Sequence, residues 1–144
     1  MRILGIDPGT STGWANIDVN DKKITLGKFG ISKGENLTDI YEHVQAADII
    51  VYEGFWLRPD KAMKGDFNWQ DNPAEKAIGS LLTLCKLSGK TKIVKQQPSQ
   101  RVPGFAFAGL KYVPKAKGKH WQDALAHAVF YAVSVLHANP VRTP

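Results

Sequence analysis

Asp48-Ile49-Ile50-Val51-Tyr52-Glu53 reads as a strand. Ile49, Ile50 and Val51 form a continuous apolar run with no polar face. Such runs suit a parallel strand covered on both sides, whereas a half-exposed strand alternates polar with apolar residues. An α/β architecture is therefore expected around this segment.

Working toward the N-terminus, Leu37 to Ala46 predicts a short helix with Leu37, Ile40, Tyr41 and Val44 on one face. Arg2 to Asp7 reads as a buried strand. Thr12 to Val19 and Lys22 to Gly30 read as the next two strands, with Asn20-Asp21 as the turn between them. These three predict an antiparallel meander. Toward the C-terminus, Gly54 to Asp71 is irregular and rich in aromatic and charged residues. Asn72 then suits an N-cap and Pro73 a first helical position, with the helix running to about Leu87 and stopping at Gly89. Thr91 to Lys95 predicts a short strand, Gly104 to Lys119 a Gly/Pro/Lys loop, and His120 to His137 the final helix. The order is three strands, helix, strand, helix, strand, helix. It is the order that a ribonuclease H-like fold requires, a mixed five-stranded sheet of three antiparallel then two parallel strands flanked by helices, and other mixed folds share parts of it. A single domain over 1–144 is expected.

Composition narrows the function classes. With 144 residues and 43% hydrophobic content the chain can bury a core. No apolar run approaches the roughly 20 residues that span a bilayer. Met1 to Asp7 is too short and turns acidic too soon for a secretory signal. Cys85 is the sole cysteine, which excludes an intrachain disulfide and a cysteine-based zinc site and fits a reducing, cytoplasmic setting. The net charge of +6 points to an anionic partner, and its distribution says more. From Gln96 to Pro144 the sole acidic residue is Asp123, among Arg101, Lys111, Lys115, Lys117, Lys119 and Arg142. Such a segment attracts a phosphate backbone, although a solvated basic loop would have the same composition.

Three places carry candidate chemistry. Asp7 closes the first strand before the turn Pro8-Gly9-Thr10-Ser11-Thr12-Gly13, a position that suits a metal ligand or an ordinary turn aspartate. Glu53 closes the strand at Ile49–Val51, where a charge can also simply mark the strand's exit into water. Both carboxylates lie at ends that can be adjacent in one sheet, where they repel unless a cation neutralises them. In the final helix Trp121, Leu125, Ala128, Val129, Ala132 and Leu136 form an apolar stripe. His120, Asp123 and His127 lie within about 60° of one another on a different face, which Tyr131 continues. Asp123 also fits a plain N-terminal charge, and His127 a surface or core-edge histidine.

Together these residues resemble the RuvC family of Holliday junction resolvases, particularly its short phage-encoded members. The resemblance rests on Gly5-Ile6-Asp7-Pro8-Gly9-Thr10-Ser11-Thr12-Gly13-Trp14, on Val51-Tyr52-Glu53, and on His120-Trp121-Gln122-Asp123-Ala124-Leu125-Ala126-His127-Ala128. It implies a metal-dependent endonuclease that cuts four-way junctions by paired nicks, acting as a homodimer in the cytoplasm, that of a bacterial host if phage-encoded. Asp7, Glu53 and Asp123 match three of the family's four metal ligands, and His120 stands at the fourth. The implied chemistry is two-ion phosphodiester hydrolysis with Mg²⁺, for which Mn²⁺ would substitute. Phe55 and Trp56 match a base-stacking wedge, and a lysine of the 111–119 loop would hold the scissile phosphate. The helix from Pro73 to Leu87, apolar on more than one side, matches the family's dimer contact. A non-catalytic nucleic-acid-binding module of the same fold and a flap or fork nuclease are the alternatives. A sugar-kinase-like phosphate loop at Asp7–Gly13 would need a second domain for which the length leaves no room.

Overall fold

The computed structural model describes residues 1–33, 36–55, 72–111 and 119–141. Strand β1 (Arg2–Asp7) pairs antiparallel with β2 (Ser11–Asn20), which pairs antiparallel with β3 (Lys23–Lys33). A 3-10 turn at Thr38–Ile40 leads into α1 (Tyr41–Ala46), and β4 (Ile49–Glu53) then runs parallel beside β1. Helix α2 (Pro73–Leu87) crosses over to β5 (Ile93–Gln96), parallel to β4. The sheet order is β3-β2-β1-β4-β5, the expected ribonuclease H-like arrangement.

Local chemistry explains most boundaries. Asn72 caps α2 by accepting the Glu75 backbone N–H at 3.3 Å, and the chain leaves that helix through Gly89 at φ 67°. The β2–β3 turn falls one residue later than expected. Asn20 pairs with Lys23, so Asp21 and Lys22 form the two-residue loop, with φ of 49° and 65°. Positive φ at both positions matches the twist of a tight hairpin.

The segment after β5 departs from expectation. Helix α3 (Arg101–Ala108) occupies part of the stretch that predicted a loop from Gly104 onward. Pro98 opens a preceding 3-10 turn and Pro103 lies in the first turn of α3, where a missing N–H costs nothing. Gly104 lies within the helix at a close approach, where a side chain would overlap the Ala126 carbonyl. The final helix, α4 (His120–Ser134), ends short of the expected His137, which sits at φ 58°.

Strand alternation sorts the core into two layers. Ile3, Ile17, Ile49 and Val51 face α3 and α4, together with Leu125, Ala128 and Val129 of α4. Leu4, Ile6, Ile50 and Tyr52 face the other side, against Val44 of α1 and Ile78, Leu81 and Cys85 of α2. Ile49, Ile50 and Val51 are each at most 1% exposed, and such burial contributes about 1.5–3 kcal/mol per side chain. Gly5 lets α4 lie directly on β1, since a Cβ there would overlap the Ala124 carbonyl. No helix among the described residues is long and apolar enough to cross a membrane.

Candidate active site

The same alternation places the two strand-end carboxylates. Asp7 follows Ile3 and Gly5 on the α4 side of β1, and Glu53 follows Ile49 and Val51 on the α4 side of β4. β1 and β4 are parallel neighbours, so their carboxyl ends open at one edge. The first turn of α4 adds His120 and Asp123 at that edge.

The side chains converge. His120 Nδ1 lies 3.5 Å from Asp7 Oδ2. One ligand atom from each of Asp7, His120 and Asp123 lies within 4.8 Å of the others. Glu53 joins this group through a second set of contacts. Its Oε2 is 3.0 Å from His127 Nε2 and 3.6 Å from Arg101 Nε, and Arg101 Nη1 is 3.6 Å from Asp123 Oδ2. His127 Nδ1 lies 2.6 Å from Gln96 Oε1. A cleft of about 150 Å³ opens beside Asp7 and Glu53, lined also by Pro8, Gly54, Phe55 and Pro98.

Burial and crowding set the protonation. Burial raises the Asp7 carboxyl to about 6; the hydrogen bond with His120 opposes this, and the charges of Glu53 and Asp123 add to it. Burial also pushes Glu53 upward, but the hydrogen bond from His127 and the Arg101 charge outweigh it and leave its pKa below the usual range. Asp123 is raised, by burial first and then by the Glu53 charge, against the pull of Arg101. The hydrogen bond to Asp7 raises His120, against partial burial. The cluster is thus split. Arg101 outweighs burial at Glu53 together with the His127 hydrogen bond, whereas Arg101 at Asp123 and His120 at Asp7 only partly oppose burial and the neighbouring carboxylate charges. A cation binding at Asp7, His120 and Asp123 would relieve that repulsion, and two carboxylates with one imidazole are an ordinary donor set for a divalent metal.

All four expected ligand positions therefore reach one edge. Arg101, expected among the DNA-contacting residues, spans two of the carboxylates. Lys111 and Lys119 are exposed; Lys115, Lys117 and Trp56 lie outside the described residues. Phe55 is half-buried against the α1–α2 layer and lines the cleft. His127, expected at the surface or core edge, is fully buried. Sequence reasoning missed Gln96 and the bridging position of Arg101. Gln96 is opposite Glu53 in the β4–β5 register, so a polar residue closing the neighbouring parallel strand was the available signal.

The topology and the carboxylates on its α4 face define a ribonuclease H-like fold with an acidic edge site. Its structural neighbours are RuvC and other Holliday junction resolvases. T. thermophilus RuvC, solved in complex with Holliday junction substrate, is 23% identical, with 98% of this chain and 99% of that chain covered at a TM-score of 0.60. The fowlpox virus resolvase, solved with substrate Holliday junction DNA, is 13% identical over 94% of this chain and 99% of that one, at a TM-score of 0.56. The yeast mitochondrial Holliday junction resolvase is 10% identical over 90% and 77%, at 0.52. No family model and no curated protein matches the chain.

Proposed function

We propose that this chain is a metal-dependent, structure-selective DNA endonuclease that resolves four-way junctions by paired nicks, working as a homodimer on DNA in the cytoplasm. The observation that carries this reading is the convergence of Asp7, His120 and Asp123 within 4.8 Å, with Glu53 alongside, in a fold whose solved neighbours are junction resolvases. Asp7, His120, Asp123 and Glu53 are the residues that would hold Mg²⁺ or Mn²⁺, two ions in the full reading. When bound, the metal supplies Lewis-acid activation of the attacking water and charge stabilisation for the leaving 3′-oxygen.

The chain's own groups do the rest. Asp7 and Glu53, held at the ends of β1 and β4, orient the site. Arg101 places a permanent positive charge beside Glu53 and Asp123 and adds to the attraction for DNA phosphate. Lys111 and Lys119, with Lys115 and Lys117, supply sequence-independent attraction to the backbone. Phe55, at the cleft beside Glu53, and Trp56 are assigned to stacking on bases at the opened crossover, worth about 1–3 kcal/mol per base. Leu82 and Leu87 leave α2 with exposed apolar surface, at 40% and 70% exposure, for a two-fold mate.

Incubating the protein with a synthetic four-way junction, a flap and a plain duplex, with and without Mg²⁺, tests the reading. Metal-dependent nicking of the junction in preference to the duplex is expected. Cleavage of flaps alone would move the substrate assignment to a flap nuclease, and binding without cleavage in any divalent metal would favour a non-catalytic module.

A further inference from the structure

His127 is a histidine in the core with no exposure, and neither ring nitrogen is idle. Nε2 meets Glu53 Oε2 at 3.0 Å and Nδ1 meets Gln96 Oε1 at 2.6 Å. The two partners come from adjacent parallel strands in direct register, Glu53 opposite Gln96. Val94 and Val51 pack toward α4, so alternation turns Gln96 and Glu53 to that same face, where His127 descends from the second turn of α4. Gln96 is itself buried, at 5% exposure. A buried imidazole is expensive without partners, so this chain of three has its geometry fixed at both ends.

The direction of the hydrogen bonds follows from chemistry. If the Gln96 amide oxygen accepts, Nδ1 carries a proton and the ring is cationic, donating on both sides. If the amide is turned to present its NH₂, Nδ1 accepts and the ring is neutral with its proton on Nε2. In both arrangements Nε2 donates to the ionised Glu53. Arg101 Nε approaches the same oxygen, Oε2, at 3.6 Å. Glu53 is therefore gripped at one carboxylate oxygen from within the core and by a cation beside it.

We infer that His127, anchored by Gln96, is a positioning residue that orients the Glu53 carboxylate for metal binding and catalysis. The inference rests on the proposed function for the role of Glu53. His127 itself touches neither substrate nor metal; it acts through Glu53. Histidine at this place is a choice of this chain, because a purely structural position on the buried face of α4 would take an aliphatic side chain at lower desolvation cost.

The test uses Mn²⁺ binding to the metal-free protein, measured by calorimetry, beside nicking rates, for His127→Leu, Gln96→Leu, Glu53→Gln and the Glu53→Gln/His127→Leu pair. His127→Leu should weaken Mn²⁺ binding by about tenfold to a hundredfold, as loss of an orienting partner does, and lower kcat with little change in KM. Gln96→Leu should move both quantities the same way by less. In the Glu53→Gln background, His127→Leu should add less than about twofold, since its effect runs through the lost carboxylate. Full additivity would show a structural role only and overturn the inference, as would His127→Leu and Gln96→Leu that bind Mn²⁺ and nick like the parent. If His127→Leu fails to fold, Gln96→Leu decides alone by the same criteria. Glu53→Gln with parental Mn²⁺ affinity and nicking would instead remove Glu53 from the site, and the functional reading would fall with it.

Discussion

His120 holds the carboxylate of Asp7 across the β1–α4 edge, with Nδ1 3.5 Å from Oδ2. That contact raises the histidine above its ordinary 6.5. In the metal-free protein the ring therefore keeps its proton to higher pH than a free histidine, and metal must displace it. Metal affinity and nicking should fall as pH drops into this range. The contact's own stabilisation runs the other way: it is fully present below 6.5 and lost as pH rises through the raised folded value. Because imidazole favours Mn²⁺ over Mg²⁺, nicking should be faster in Mn²⁺. His120→Asp should shift preference toward Mg²⁺ and move the acid limb lower. Rates of both proteins in both metals across about pH 5.5 to 8.5 check this. An unchanged metal ratio and pH profile would reduce His120 to a helix-starting residue.

Asp7 shifts in the same direction for a different cause, burial. Its folded pKa is about 6 against 3.8 for an unperturbed aspartate. The folded state then binds more protons than the unfolded one between those values, so this group's contribution to stability falls as pH rises across them and stays low above. Asp7→Asn should consequently stabilise the metal-free protein at pH 8, by up to about 3 kcal/mol at 1.36 kcal/mol per pH unit. The gain should shrink toward acid pH. Thermal unfolding of both proteins in a chelating buffer at several pH values measures it, and a destabilised variant at pH 8 would contradict the assigned burial penalty.

Gly5 sets the spacing between α4 and β1, and with it the distance from Asp123 to Asp7. Gly5→Ala should push the Ala124 carbonyl off the sheet, costing about 1–3 kcal/mol or more of stability, as overpacking does. Nicking should fall further than stability alone accounts for, because the ligands separate. Chemical denaturation together with Mn²⁺ titration separates the two effects. Parental metal affinity in the folded variant would show that the site tolerates a displaced α4.

The dimer prediction rests on α2. Light scattering should give twice the 15.9 kDa chain mass, and replacing Leu82 and Leu87 with Glu should return it to the monomer without unfolding the protein. A parent that is monomeric at tens of micromolar, the order of a weak contact, would remove α2 as the two-fold contact.

How much of this was legible depends on the type of signal. The apolar run Ile49–Val51, the buried strand Arg2–Asp7 and the two strands around the Asn20-Asp21 turn announced the sheet, because apolar runs and turn residues survive in a single sequence. Asp7, Glu53, His120 and Asp123 were legible because each interrupts or ends such a pattern. Helix α3 was not, since Pro103 and Gly104 signal a loop unless one knows that the first falls in an opening turn and the second lies under Ala126. Arg101 looked like one more cation of a basic tail for the same reason: without α3, nothing carries it to Glu53. The His127–Gln96 contact joins residues far apart in sequence, and no local period encodes a pairing made only when α4 lies across β4 and β5.

The most direct measurement of the central claim is nicking of a strand-labelled four-way junction by the parent and by Asp7→Asn in Mg²⁺ or Mn²⁺. The parent should make paired nicks at two-fold-related positions and none without divalent metal, and Asp7→Asn should still bind the junction in a gel shift yet cut at least about a hundredfold more slowly, the loss expected when a metal ligand is removed. Near-parental nicking by Asp7→Asn, or no cleavage of the junction by the folded parent in either metal, would contradict it.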